Sequence, residues 1–180
     1  VCCGSSLTVS VSVYTLSVAK RLGHVYVCVQ IEIGVGTFLH DIGKSRVPDE
    51  VLNKTGKLSH AEWDIMRKHT TWGHEILVEH GITSPIVLAI ARDHHEKLDG
   101  SGYPGKLYAG DLPDYVRMTT ICDVFDALTT TRSYKQSLDS FPALRIMKNE
   151  MAHQLDPEFF GVFISMLHIE SSTPAPALAR

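Results

Sequence analysis

A disulfide framework is absent. The four cysteines, Cys2, Cys3, Cys28 and Cys122, show no paired spacing, and adjacent Cys2 and Cys3 suit neither a CxxC zinc half-site nor a bridge between themselves. They read as thiols of a reducing compartment, with Cys28 and Cys122 as small buried apolar residues. No run of about 18 or more uncharged apolar residues occurs, which argues against a helical membrane span. A basic excess is missing too. Seventeen Lys and Arg against twenty Asp and Glu leave a net charge of −3, so the basic stripe of a duplex-DNA binder is not there. Neither a repeat of about 20–50 residues nor a low-complexity tract is visible. At 44 % hydrophobic and 21 % charged, the 180 residues exclude wholesale disorder and suffice for one domain with its own core. The chain opens on Val1 rather than Met, so a piece of a longer protein is expected. Histidine is what it has in quantity. There are ten, and imidazole is both the commonest metal ligand and a ready proton carrier.

From residue 59 onward the pattern is helical. Ser59 with Glu62 forms a capping box, followed by Trp63, Ile65 and Met66, then a segment from His74 to His80 that stops at Gly81. Ser84-Pro85 places an N-cap before a proline at the first helical position, opening a helix from Ile86 to about Glu96. A Gly/Pro-rich loop, Asp99 to Pro113, precedes a helix from Tyr115 to about Thr130; Ser140 and Asp156-Pro157 open two more, to about His153 and Ile169. The first 37 residues disagree. Val9, Val11 and Val13 alternate with serines, and Val25, Val27, Val29, Ile31 and Ile33 alternate with mostly polar residues. That is strand periodicity in residues that favour strands, and by itself it predicts a hairpin turning near Lys20–Gly23.

His40-Asp41 lies in Phe38-Leu39-His40-Asp41-Ile42-Gly43-Lys44. Neighbours on a helix serve one task only by converging on a point from adjacent angles, as metal ligands do. His69, His94-His95 and Asp123 follow. Each has an ordinary reading: a helix C-terminal histidine, a solvated helix end, an ion pair. Together they make an N/O donor set suited to Fe, Mn or Zn rather than to Ca or Mg alone. His40-Asp41 with Ile42-Gly43-Lys44, then His94-His95-Glu96, then Asp99-Gly100-Ser101-Gly102-Tyr103-Pro104-Gly105, then Asp123-Val124-Phe125-Asp126-Ala127-Leu128-Thr129 closely resemble the HD-GYP domain. Pro48 to Leu52, Lys54 to Leu58 and Gly73 to Leu77 fit the same order, so the resemblance covers about residues 37–160.

The resemblance implies an all-α HD-superfamily helical bundle over residues 1–170, with two helices in place of the hairpin, and a flexible tail at 171–180. It implies a metal-dependent phosphodiesterase of the bacterial cytoplasm that hydrolyses cyclic di-GMP to pGpG or GMP with one or two divalent ions, Fe, Mn or Zn. The implied ligands are His40, Asp41, His69, His94, His95 and Asp123. Asp41 bridges two metals, His69, His94 and His95 complete one, and His40 and Asp123 serve the other. Such a pair, about 3.5–4 Å apart, lowers the pKa of a bridging water and stabilises charge at phosphorus. Asp41 and Lys44 are the implied catalytic residues. Lys44, Arg132 and Lys135 would hold phosphate, arginine by a bidentate fork and lysine as a point charge. Tyr103 is implied at the substrate or, with Gly102 and Pro104, in a loop that meets GGDEF-type diguanylate cyclases; a further regulatory domain is expected in the full-length chain. His24, His60, His74, His80, His153 and His168 read as surface or packing residues, and Trp63 and Trp72 as core.

One departure matters. The family carries Glu and His four residues apart on its first helix, and the alignment puts Cys3 and Leu7 there; no histidine precedes His24 and no acid precedes Glu32. A third metal relying on that glutamate is expected to be absent, and the metal served by His40, Asp41 and Asp123 to be one protein ligand short. Cys3 as a thiolate substitute would favour zinc. The expected function is therefore a phosphodiesterase of reduced activity. The alternative is a catalytically impaired module that binds cyclic di-GMP or a cyclase partner. A general HD-type hydrolase of other phosphoesters is disfavoured by the Gly102-Tyr103-Pro104 loop and the Asp123–Thr129 block.

Overall fold

The computed structural model describes residues 5–23, 26–130 and 137–172, with side chains between residues 9 and 167. Cys3, His24, Arg132, Lys135 and residues 173–180 lie outside the described residues, as do the side chains of Leu7 and His168.

The valine-rich N-terminal segment is helical. Helices α1 (Ser5–Arg21) and α2 (Val27–Leu39) replace the hairpin that residue alternation predicts. A 3.6-residue period underlies the alternation: Val11, Thr15, Val18 and Ala19 are buried along one face of α1, while Val9 and Val13 are 50 % and 53 % exposed. On α2 the buried residues are Ile33, Gly36 and Thr37. Tertiary burial of those faces outweighs the strand preference of valine and isoleucine.

Elsewhere the helix signals hold. After α3 (Asp49–Leu52), the Ser59–Glu62 capping box opens α4 (His60–Arg67), and α5 (His69–Glu79) follows directly. Ser84 accepts from the Val87 amide to start α6 (Pro85–Asp93), with proline in its first turn. Then come α7 (Asp114–Thr129), α8 (Ser140–Glu150) and α9 (Pro157–Ser172). Asp156 caps α9 by accepting from the Glu158 and Phe159 amides and also pairs with Arg117 of α7 at 2.7 Å. The described residues contain no β-strand.

The bundle is arranged around α7. Helix α1 packs on α2, α7 and α9, while α6 packs on α2, α5 and α7. Edge-to-face contacts among Tyr14, Phe125 and Phe163, with centroids 5.0–5.8 Å apart, join α1, α7 and α9. Cys122 is buried as expected, but Cys28 is exposed, because α2 turns that position away from the bundle. Trp63 likewise is 45 % exposed, since α4 buries none of its residues; Trp72 is half-buried.

Candidate metal centre

His40 and Asp41 do not sit on one continuous helix. Helix α2 ends at Leu39, His40 is its C-cap, and Asp41 (φ −97°, ψ 6°) leads into a 3₁₀ turn over Ile42–Arg46. The change of course lets the two neighbours face one centre. Gly43 makes it possible, because a Cβ there would lie 1.9 Å from the His69 carbonyl oxygen and 2.4 Å from the Gly73 nitrogen. The bare glycine lets the turn lie directly on α5, which brings Asp41 to His69.

Three histidines are aimed by the same device. His40 Nδ1 meets the Thr37 carbonyl at 2.6 Å, His69 Nδ1 the Met66 carbonyl at 2.8 Å, and His94 Nδ1 the Ile90 carbonyl at 3.0 Å. With Nδ1–H donating to its own preceding turn, each ring presents Nε2 to the centre, the usual orientation of a metal-ligating histidine. His94 and His95 follow α6, and the Thr120 hydroxyl of α7 fixes the His94 carbonyl at 2.9 Å.

The groups converge on Asp41. Its Oδ1 lies 3.5 Å from His69 Nε2 and 3.9 Å from His94 Nε2, and its Oδ2 lies 3.3 Å from His40 Nε2. Asp123 of α7 closes the other side, 3.7 Å from His40 Nε2 and 3.8 Å from His95 Nδ1. His69, His94 and His95 form one cluster of donor atoms within 4.8 Å of one another, and His40, Asp41 and His94 form a second that shares His94. Asp41 Oδ1 is buried and has no hydrogen-bond donor. A buried anionic oxygen without a donor is costly, and a divalent cation among these imidazoles would satisfy it. The donor set fits such an ion.

The electrostatics are uneven. Burial lowers the basicity of His69 and of His94, and takes His95 down to about 4. Burial works the same way on His40, but the Asp41 and Asp123 carboxylates outweigh it and raise that ring to about 10. Burial disfavours the Asp41 anion too, yet His40 and Lys44 hold its carboxyl well below the usual range. Lys44 Nζ donates to Asp41 Oδ2 at 2.6 Å.

The remaining expected site residues divide. Tyr103 is half-buried and stacks on His95, with centroids 4.8 Å apart and planes at 29°. Gly102 allows this, since a Cβ on it would lie 2.5 Å from Glu96 Cα and 2.6 Å from the His95 oxygen. Pro104 is exposed at the loop tip. Sequence reasoning missed the part played by Glu96, whose carboxylate accepts from the Gly105 amide and, at 3.0 Å, from the Leu107 amide. Its place beside His94-His95 was the available signal.

The HD domain family matches residues 5–159. The chain belongs to that family. This HD domain is 38 % identical over 149 residues to "Cyclic di-GMP phosphodiesterase PA4108" of Pseudomonas aeruginosa, covering 83 % of the chain and 35 % of that relative. It is 46 % identical over 120 residues to "3'3'-cGAMP-specific phosphodiesterase 2" of Vibrio cholerae, covering 64 % of the chain and 23 % of the relative. The chain thus spans about a third or less of the length of these curated relatives. Among solved structures, the HDG"Y"P protein Bd1817 of Bdellovibrio bacteriovorus superposes with a TM-score of 0.76 at 18 % identity, over 91 % of this chain and 52 % of that one. The all-α HD bundle implied by the motifs, with helices at its N-terminus, is the fold observed.

Proposed function

We propose that this HD domain is a metal-dependent phosphodiesterase that hydrolyses cyclic di-GMP to pGpG or GMP in bacterial second-messenger signalling, at a rate reduced by its first helix. The observation that carries the reading is the convergence of His40, His69 and His94 on the Asp41 carboxylate, one oxygen of which is buried without a donor. The names of the two relatives above support a cyclic dinucleotide as substrate.

In this reading Asp41 bridges the two halves of the centre, with His69, His94 and His95 on one side and His40 and Asp123 on the other. Neutral imidazoles suit the N/O-ligated ions Fe, Mn or Zn. Bound divalent ions supply an activated water and neutralise developing phosphoryl charge. The protein's own groups do the rest. Nδ1 bonds to backbone carbonyls hold the rings in register, and Lys44, beside Asp41, offers a positive charge to the phosphate or the leaving oxygen. Arg132 and Lys135 hold phosphate, and Tyr103 lines the substrate side or, with Gly102 and Pro104, meets a GGDEF-type diguanylate cyclase. The domain extends over residues 1–170, is cytoplasmic, and is joined to a regulatory domain in a longer chain.

A second reading has its own observation. Helix α1 contains no aspartate, glutamate or histidine, so the half served by His40 and Asp123 lacks a ligand from that helix. A catalytically impaired module that binds cyclic di-GMP or a cyclase follows if that half stays empty. One assay separates the two. Metal-loaded protein is incubated with cyclic di-GMP, with 3'3'-cGAMP in parallel, and pGpG, GMP and the mixed linear product are followed beside an Asp41→Ala variant. Turnover abolished by the substitution supports the enzyme; saturable binding without product supports the module.

A further inference from the structure

Beside the candidate metal centre lies Arg67, an arginine the catalytic reading does not use, between the ring of Trp63, which that reading also leaves out, and the ring of Tyr103. Arg67 ends α4, and its guanidinium carbon is 5.9 Å from the Trp63 ring centre and 5.5 Å from the Tyr103 ring centre. Tyr103 in turn stacks on His95 and is 6.4 Å from the His69 ring. The row Trp63, Arg67, Tyr103, His95 therefore runs from the surface to the proposed ligands. Its outer members are open: Trp63 is 45 % exposed and Arg67 is exposed. Lys44, by contrast, is engaged by Asp41 at 2.6 Å. Arg67 has no ion pair with a carboxylate among the described residues; two ring faces hold its cation.

We propose that Trp63 and Arg67 form a nucleotide subsite on the rim of this centre, Trp63 stacking one base of the substrate and Arg67 pairing with the phosphate next to it. The inference rests on the reading of the centre as a cyclic-dinucleotide phosphodiesterase. An exposed indole offers a flat apolar face on which any base stacks, so Trp63 adds affinity without choosing between guanine and adenine. A guanidinium preset by cation–π contacts keeps its N–H edge free, and that edge forms a bidentate fork with phosphate oxygens. Lysine at position 67 keeps the charge but loses the fork and the stacking.

The chain has two tryptophans, so Trp72→Phe leaves Trp63 as the sole indole emitter. In that background, a hydrolysis-resistant phosphorothioate analogue of cyclic di-GMP is expected to quench the emission along the same saturation curve that calorimetry gives. Trp63→Ala and Arg67→Ala are each expected to weaken binding roughly tenfold to a hundredfold, Arg67→Lys to recover only part of the loss, and all to keep the parent metal content. Binding by the parent with no quench, and with unchanged affinity in Trp63→Ala and Arg67→Ala, overturns the subsite and leaves the catalytic reading standing. No saturable binding by the parent overturns both.

Discussion

Replacing Gly43 by alanine should damage both the fold and the metal centre. The new Cβ would lie 1.9 Å from the His69 carbonyl oxygen, 2.4 Å from the Gly73 nitrogen and 2.8 Å from the His69 carbonyl carbon. All three are backbone atoms of α5, so no side chain can swing away. Relief needs the 3₁₀ turn and α5 to separate by roughly 1 Å, far beyond the tolerance of close-packed interiors. Overpacking costs about 1–3 kcal/mol, and rigid neighbours put this site near the top of that range. For a domain of this size the melting temperature should fall by about 6–12 °C. The same separation carries Asp41, two residues away, from its 3.5 Å approach to His69, so metal content should drop as well. Gly161→Ala is the control. Its Cβ meets nothing within 4 Å, and a glycine inside a helix gains roughly 0.5–1 kcal/mol on becoming alanine. Thermal melts with elemental analysis of both variants provide the assay. A Gly43→Ala protein that melts within about 2 °C of the parent and keeps its metal would refute the close-approach reasoning.

Other consequences can be measured on the same material. Glu96→Gln turns an NH₂ toward one of the two loop amides its carboxylate now accepts; it should cost about 1–3 kcal/mol and hasten proteolysis between Asp99 and Pro113, and unchanged cleavage would count against a tethering role. Asp156→Ala removes the α9 cap and leaves Arg117 short of a partner, for which roughly 1–2 kcal/mol is expected from denaturant titration. In chelator, stability should peak near neutral pH. His69, His94 and His95 have lowered basicity in the fold, so the unfolded chain binds more protons and stability is lost as pH falls below about 6.5. His40 is raised to about 10, so its contribution is full below about 6.5 and is lost as pH climbs through about 10. A ligated His40 carries no proton on Nε2, so metal added in excess, enough to fill the weaker half of the centre, should abolish its share of the alkaline loss. Melts across pH that keep this limb at saturating metal would contradict the assignment of His40 as a ligand.

The capping signals were legible because they are local. Ser59 with Glu62 and Ser84 with Pro85 open the helices they announce. The candidate ligands could be picked out because their types and order match the HD-GYP pattern, and the fold brings His40, Asp41, His69, His94, His95 and Asp123 together. The N-terminal helices were legible only through the family resemblance, since valines spaced by two obscure a buried face spaced by 3.6; packing against α7 and α9 selects Val11 and Val18 over Val9 and Val13. Cys28 and Trp63 misled for the opposite reason. Their apolar character said nothing about which way α2 and α4 face. Gly43 and Gly102 were readable as parts of motifs, but the backbone each one admits is a tertiary fact.

Metal content per chain after gel filtration, in the parent and in Asp41→Ala, bears most directly on the proposed role of Asp41 as a metal ligand. The parent should retain one tightly held Fe, Mn or Zn ion, the half without a first-helix ligand staying empty or exchanging freely, and Asp41→Ala should fall close to none. A folded parent that retains no ion, or an Asp41→Ala protein that keeps the parent's content, would contradict it.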